Sequence, residues 1–188
     1  MSAEPVTREP LHHRQIDMRV CKRSDGLFEA SAHLTDTKSH DLKPDAGDLT
    51  FAAGSPIHDM RVTLIFDIDM IVRGVETFMA SHPYASCPGG GDSLNALIGV
   101  QIGAGWNSKV RAMLPNCDTC THLKELLTPL ATAAIQGMVG LRASSLQHRN
   151  SDGKPSKIDS CHGYSATREL VKIHWPEYYR PALTDSAK

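Results

Sequence analysis

The sequence predicts an α+β domain, with an antiparallel meander sheet in the N-terminal half and helices packed on one of its faces. Three observations carry this. Apolar and polar residues alternate with period two in runs up to Phe66, the pattern of half-buried strands. Turn-forming triplets, Ser24-Asp25-Gly26 and Asp67-Ile68-Asp69, separate these runs. Beyond Thr121 the apolar residues recur at helical spacing instead.

The elements follow in order. Residues 1–13 read as a flexible leader. From Gln15 to Arg23, Ile16, Met18 and Val20 alternate with Asp17, Arg19 and Cys21; from Leu27 to Lys38, Phe28, Ala30, Ala32 and Leu34 alternate with Glu29, Ser31, His33 and Thr35. Joined by the Asp-Gly turn, the two runs form a hairpin. Ser39 to Ser55 has few large apolar groups and contains Pro44, Gly47 and Gly54, so it reads as a long loop able to act as a lid. Ile57 to Phe66 is a third strand, and Met70 to Phe78 a fourth strand or the start of a helix. Pro88-Gly89-Gly90-Gly91 reads as a flexible break, after which Asp92 or Ser93 can cap a short helix from Leu94 to Ile98. Trp106 to Leu114 reads as helical. Thr121 to Leu146 holds the strongest helical signal, with Pro129 and Gly137 as kink points. His148 to Lys157 is a polar linker, Ile158 to Ile173 a turn with room for a strand, and Trp175-Pro176-Glu177-Tyr178-Tyr179 an aromatic anchor. The expected organisation is one domain over 14–180 with a tail over 181–188.

Composition narrows the function classes. A chain of 188 residues, 40% hydrophobic and 22% charged, is long enough for one domain with a real core. A formal net charge of -1 argues against nucleic acid as the partner. Ten histidines make the charge sensitive to pH just below neutrality. The first ten residues carry acids and prolines without an apolar run, and no apolar stretch reaches bilayer length. These features predict a cytoplasmic protein with reduced cysteines and no membrane partner. The partner expected is a small molecule, with a homo-oligomer left open.

Three polar clusters interrupt the hydrophobic pattern: His58-Asp59-Met60, Pro83-Tyr84-Ala85-Ser86-Cys87 and Cys117-Asp118-Thr119-Cys120-Thr121-His122. His58 opens the third strand, where an imidazole can move a proton or bind a metal; a hydrogen-bonded surface histidine is the alternative. Pro83 and Pro88 stiffen the loop that bears Tyr84 and Cys87. Cys120 and His122 stand at the start of the long helix, whose dipole favours thiolate. A single C-x-x-C is half of a structural zinc site, and His58 and Cys87 are the natural suppliers of the rest. Arg23, Asp25, Asp36 and Lys38 cluster at the ends of the hairpin and can hold an anionic or phenolic ligand, although such charges are commonly exposed hairpin tips. The His12-His13 pair reads as solvated.

The succession Arg23-x-Asp25-Gly26-Leu27, Leu34-x-Asp36-x-Lys38, Pro56-Ile57-His58-Asp59-Met60, Pro83-Tyr84-x-x-Cys87 and Cys120-Thr121-His122-Leu123 resembles an uncharacterised bacterial domain family. That resemblance implies a role in the breakdown of aromatic compounds. More distantly, the centre of the chain is similar to iron–sulfur cluster assembly scaffolds. In that likeness His58 stands at the place of the first cysteine, Cys87 at the second, and Cys120 opens the helix.

Two functions follow. The first is a lyase or hydrolase of an aromatic or phenolic intermediate. His58 and Asp59 would transfer protons, Tyr84 would orient the substrate, and Arg23 or Lys38 would hold its charge. Zinc on His58, Cys87, Cys120 and His122 and a metal-free site are equal alternatives, with an iron–sulfur cluster behind both. The second is a metal or iron–sulfur carrier that binds a partner protein. Both require the third strand, the tyrosine-bearing loop and the start of the long helix to meet.

Overall fold

Four strands pair in chain order into one antiparallel meander: β1 (His12–Lys22), β2 (Phe28–Lys38), β3 (Pro56–Phe66) and β4 (Val72–Ser81). The structure is a computed structural model that describes residues 5–46, 49–142 and 148–181. Outside them lie residues 1–4 of the expected leader, Gly47 of the long loop, Leu146 of the helical stretch and residues 182–188 of the tail. Where the sequence reads one domain over 14–180, the contacts group the chain into two compact units, Met1–Gly137 and Met138–Lys188.

In the first unit the strand alternation decides which face is buried. Phe28, Ala30, Ala32 and Leu34 of β2 and Met60, Val62, Leu64 and Phe66 of β3 all lie on the helix-facing side and are buried. Helix α2 (Thr121–Gly137) supplies the opposing layer with Leu123, Leu126, Leu127, Leu130 and Ala134. Each buried leucine, valine, methionine or phenylalanine among these contributes roughly 1.5–3 kcal/mol by leaving water. Helix α1 (Trp106–Met113) adds Trp106 and Val110, and the Trp106 indole N–H donates to the Leu127 carbonyl of α2 at 2.9 Å. The expected α+β class, with a meander first and helices after it, is the observed one.

Some boundaries differ from the sequence reading, each for a physical reason. His12 and His13, read as leader, are paired with Lys38 and Thr37 and extend β1. The glycine run is not a break, because a 3-10 segment occupies Cys87–Leu97. Its glycines serve close approach: a Cβ on Gly90 would stand 2.7 Å from the Cys120 backbone nitrogen, and one on Gly91 2.5 Å from Thr77 Oγ1. Helix α2 ends at Gly137, where a Cβ would meet Val20 Cγ1 at 2.6 Å.

The second unit has a small core of its own, Ile158, Ala166, Val171 and Trp175, with Tyr164, Tyr178 and Tyr179 packed against it. The stretch read as room for a strand holds a short helix, α3 (Glu169–His174). Val171 and Trp175, four apart, reach one cluster at the spacing of one helical turn. Among the described residues no helix is long and apolar enough to cross a membrane.

Candidate functional site

The apolar face of the sheet ends in a charged row. Ile16, Leu34 and Met60 lie side by side across β1, β2 and β3, and the next row outward on the same face is Arg14, Asp36 and His58. Cross-strand neighbours stand about 5 Å apart at Cβ, so this register forces the three side chains together. A register shift between Asp36 and Thr37 interrupts the ladder at this point. Such bulges re-aim side chains and are common beside sites.

Asp36 is the hub. Its side chain is 1% exposed. Arg14 grips it with two parallel bonds, Nε to Oδ1 and a terminal nitrogen to Oδ2, both 2.8 Å. His58 Nδ1 lies 3.0 Å from Oδ2, and His12 Nε2 lies 3.2 Å from Oδ1. Burial pushes the Asp36 carboxyl up, but the bonds and charge of Arg14, helped by His58, outweigh it and bring the group to about 2. An ionised carboxylate only accepts hydrogen bonds, so His58 Nδ1 carries the proton and Nε2 the lone pair.

The first turn of α2 brings His122 onto His58. The two rings stand 4.0 Å apart at their centroids and are tilted by 40°. Burial lowers the His58 pKa, repulsion from His122 lowers it further, and the Asp36 bond only partly opposes them. His122 is lowered by burial first and by Arg14 second. Both imidazoles are therefore neutral at neutral pH, the form that accepts a proton or binds a metal. One ligand atom each from Asp36, His58 and His122 can be chosen so that all lie within 4.8 Å of one another.

Two hollows open on this pair. One, of about 430 Å³, is bordered by His12, Arg14, Asp36 and Lys38 of the sheet, by Leu42 to Asp45 of the long loop, and by Ile57. The other, of about 720 Å³, is bordered by Ser86, Cys87, Gly89, Gly90, Ser93 and the segment Cys117–Thr121. His58, Pro83, Tyr84 and His122 line both. The three segments expected to meet thus do so around a shared space.

This chain belongs to DUF2889. The family, proteins of unknown function, matches residues 12–136, which take in β1 to β4 and nearly all of α2. No curated protein and no solved structure matches this DUF2889 chain.

The residues expected from the sequence separate cleanly in the DUF2889 fold. His58, Tyr84, Lys38 and His122 border the hollows. Cys87 and Cys120 line the larger one but stand outside the Asp36–His58–His122 cluster. Asp59 is on the opposite face of the sheet, where its carboxylate lies 2.7 Å from His33 Nε2; adjacent strand residues point apart. The carboxylate beside His58 is therefore Asp36. Arg23 is held by Asp25 and Glu29 at the β1–β2 turn, and the eight residues from Phe28 to Asp36 put it about 25 Å from the site. Arg14 and His12 were missed as site residues, and Asp36, one of the four charges expected at the hairpin ends, is the hub rather than an exposed tip. Their signal was a charged pair standing in the apolar phase of two alternating strands.

Proposed function

We propose that this protein is an enzyme, a lyase or hydrolase acting on a small anionic aromatic or phenolic molecule by acid–base chemistry at His58. The observation that carries the reading is the oriented imidazole: Asp36 accepts a hydrogen bond from Nδ1–H, and Nε2 has no hydrogen-bond partner among the described residues. In the reaction, Nε2 accepts a proton from a substrate hydroxyl or from water. The electron pair so released forms the new bond to carbon as the neighbouring bond breaks, and the same proton returns to the departing fragment. Asp36 steadies the imidazolium while it exists. Lys38 supplies positive charge at the hollow's edge, and Tyr84 offers a ring to stack on and a phenol to donate.

Zinc-assisted chemistry is the second reading, favoured by the mutual reach of Asp36, His58 and His122. A metal there would polarise a substrate oxygen. It ranks second because Arg14 already occupies both Asp36 oxygens. The metal or iron–sulfur carrier needs thiolates, and no thiol joins the three-ligand cluster.

The test is turnover of a panel of hydroxylated aromatic acids, followed by mass spectrometry, in wild type, His58→Ala and Arg61→Ala. Loss of about 10²- to 10⁴-fold in His58→Ala with Arg61→Ala unaffected supports the enzyme. Equal turnover in all three proteins rejects His58 as the proton carrier, and a brown, sulfide-containing preparation rejects the enzyme in favour of the carrier.

A further inference from the structure

The two hollows on either side of the imidazole pair differ in chemistry. In the smaller, Arg14 and Asp36 neutralise each other, leaving the ammonium groups of Lys38 and Lys43 against the single carboxylate of Asp45. Neither lysine side chain has a hydrogen bond or ion pair among the described residues. Leu42, Pro44 and Ile57 give the same hollow apolar walls. This combination suits an aromatic ring that carries an acid. In the larger hollow the one residue of fixed charge is Asp118, and the other polar walls are hydroxyls and thiols, with Ser93 and Thr119 hydrogen-bonded to each other at 3.0 Å. An anion would be repelled there, whereas a neutral group with hydroxyls or ether oxygens finds partners. Sites for drug-sized ligands occupy roughly 300–1,000 Å³, so one ring leaves one of these two hollows unused.

We infer that the substrate is a two-part molecule, with an anionic aromatic half beside Lys38 and Lys43, a neutral oxygen-bearing half beside Gly89 and Thr119, and the connecting bond passing His58 and His122. The inference rests on the enzyme reading and deepens it: the bond that breaks is the one between the halves, and each hollow retains one product.

The test uses two probes, benzoate for one half and 4-benzyloxybenzoate for the two-part molecule, titrated calorimetrically into the full chain. Gly89 borders the larger hollow and has open space around a would-be Cβ, so Gly89→Leu is the variant that narrows this hollow. The wild type binds 4-benzyloxybenzoate about tenfold or more tighter than benzoate, because the second ring leaves water. Gly89→Leu removes that gain and leaves benzoate binding unchanged, which also shows that the variant is folded. Lys38→Met/Lys43→Met weakens both probes by about tenfold. If benzoate binds and depends on the lysines, but the second ring adds nothing or Gly89→Leu leaves its gain intact, the two-part substrate is wrong while the enzyme reading stands. If neither probe binds and the His58 and His122 resonances do not move at saturating benzoate, both fall.

Discussion

Asp36 of β2 lies directly across the sheet from His58 of β3, and its Oδ2 stands 3.0 Å from His58 Nδ1. The relationship is set by backbone register, so it belongs to the fold before any ligand arrives. Arg14, across the next strand pair, completes the row and keeps the carboxylate ionised. A charge in an apolar row costs stability unless it is paired. Here that cost is accepted at the rim of the sheet, beside two hollows.

Breaking the row from one side is therefore more damaging than replacing it whole. Asp36→Ala leaves the half-buried Arg14 guanidinium with only the longer contact to Glu125, at 3.7 Å, and removes the acceptor for His58. We expect a loss of about 3 kcal/mol by urea unfolding. Arg14→Met/Asp36→Leu, which continues the Ile16–Leu34–Met60 pattern, recovers most of it. A double variant no more stable than Asp36→Ala would show that the row's electrostatics do not govern stability.

Stability falls on acidification in two windows. For His58 and His122 the folded values lie below the ordinary 6.5, so the unfolded chain takes up protons first and stability declines as pH drops below 6.5. For Asp36 the folded value is about 2 against 3.8 ordinarily. Its contribution, on the order of 2 kcal/mol, is fully present above 3.8 and is lost as pH falls through 2. Chemical denaturation as a function of pH should show both limbs in wild type and a shallower lower limb in Asp36→Asn, where the carboxyls of Asp25, Asp67 and Asp159, also held below the ordinary value, still contribute.

The glycine run separates packing from flexibility. A Cβ at Gly90 would strike the Cys120 backbone, while one at Gly89 meets nothing within 4 Å. Gly90→Ala should cost about 1–3 kcal/mol, and Gly89→Ala should lie within about 0.5 kcal/mol of wild type by the same urea assay. Equal effects at both positions would mean that the 3-10 segment does not seat against Cys120.

Much of this was legible. Alternation in β2 marks its buried face, and the Asp25-Gly26 turn, with Arg23 opposite Leu27, sets a register that places Arg14 opposite Asp36 when counted back along the strands. The two charges were visible as intruders in the apolar phase, yet pattern alone reads such residues as exposed hairpin ends. Asp59 drew attention because it adjoins His58 in sequence, although the strand pleat sends it to the other face. The C-x-x-C spacing drew attention to thiols, whereas the histidine two residues beyond them is what reaches His58. The 3-10 segment was illegible because its glycines answer to Cys120 and Thr77, residues distant in the chain.

Asp36 fixes His58 with its lone pair on Nε2, open to the hollows. Long-range ¹H–¹⁵N correlation of the His58 ring at pH 7 tests it most directly. The ring should be neutral, protonated at Nδ1 and bare at Nε2, and the His58 pKa should rise in His122→Ala as burial and repulsion are relieved. A ring protonated at Nε2, or a titration indifferent to His122, would contradict it.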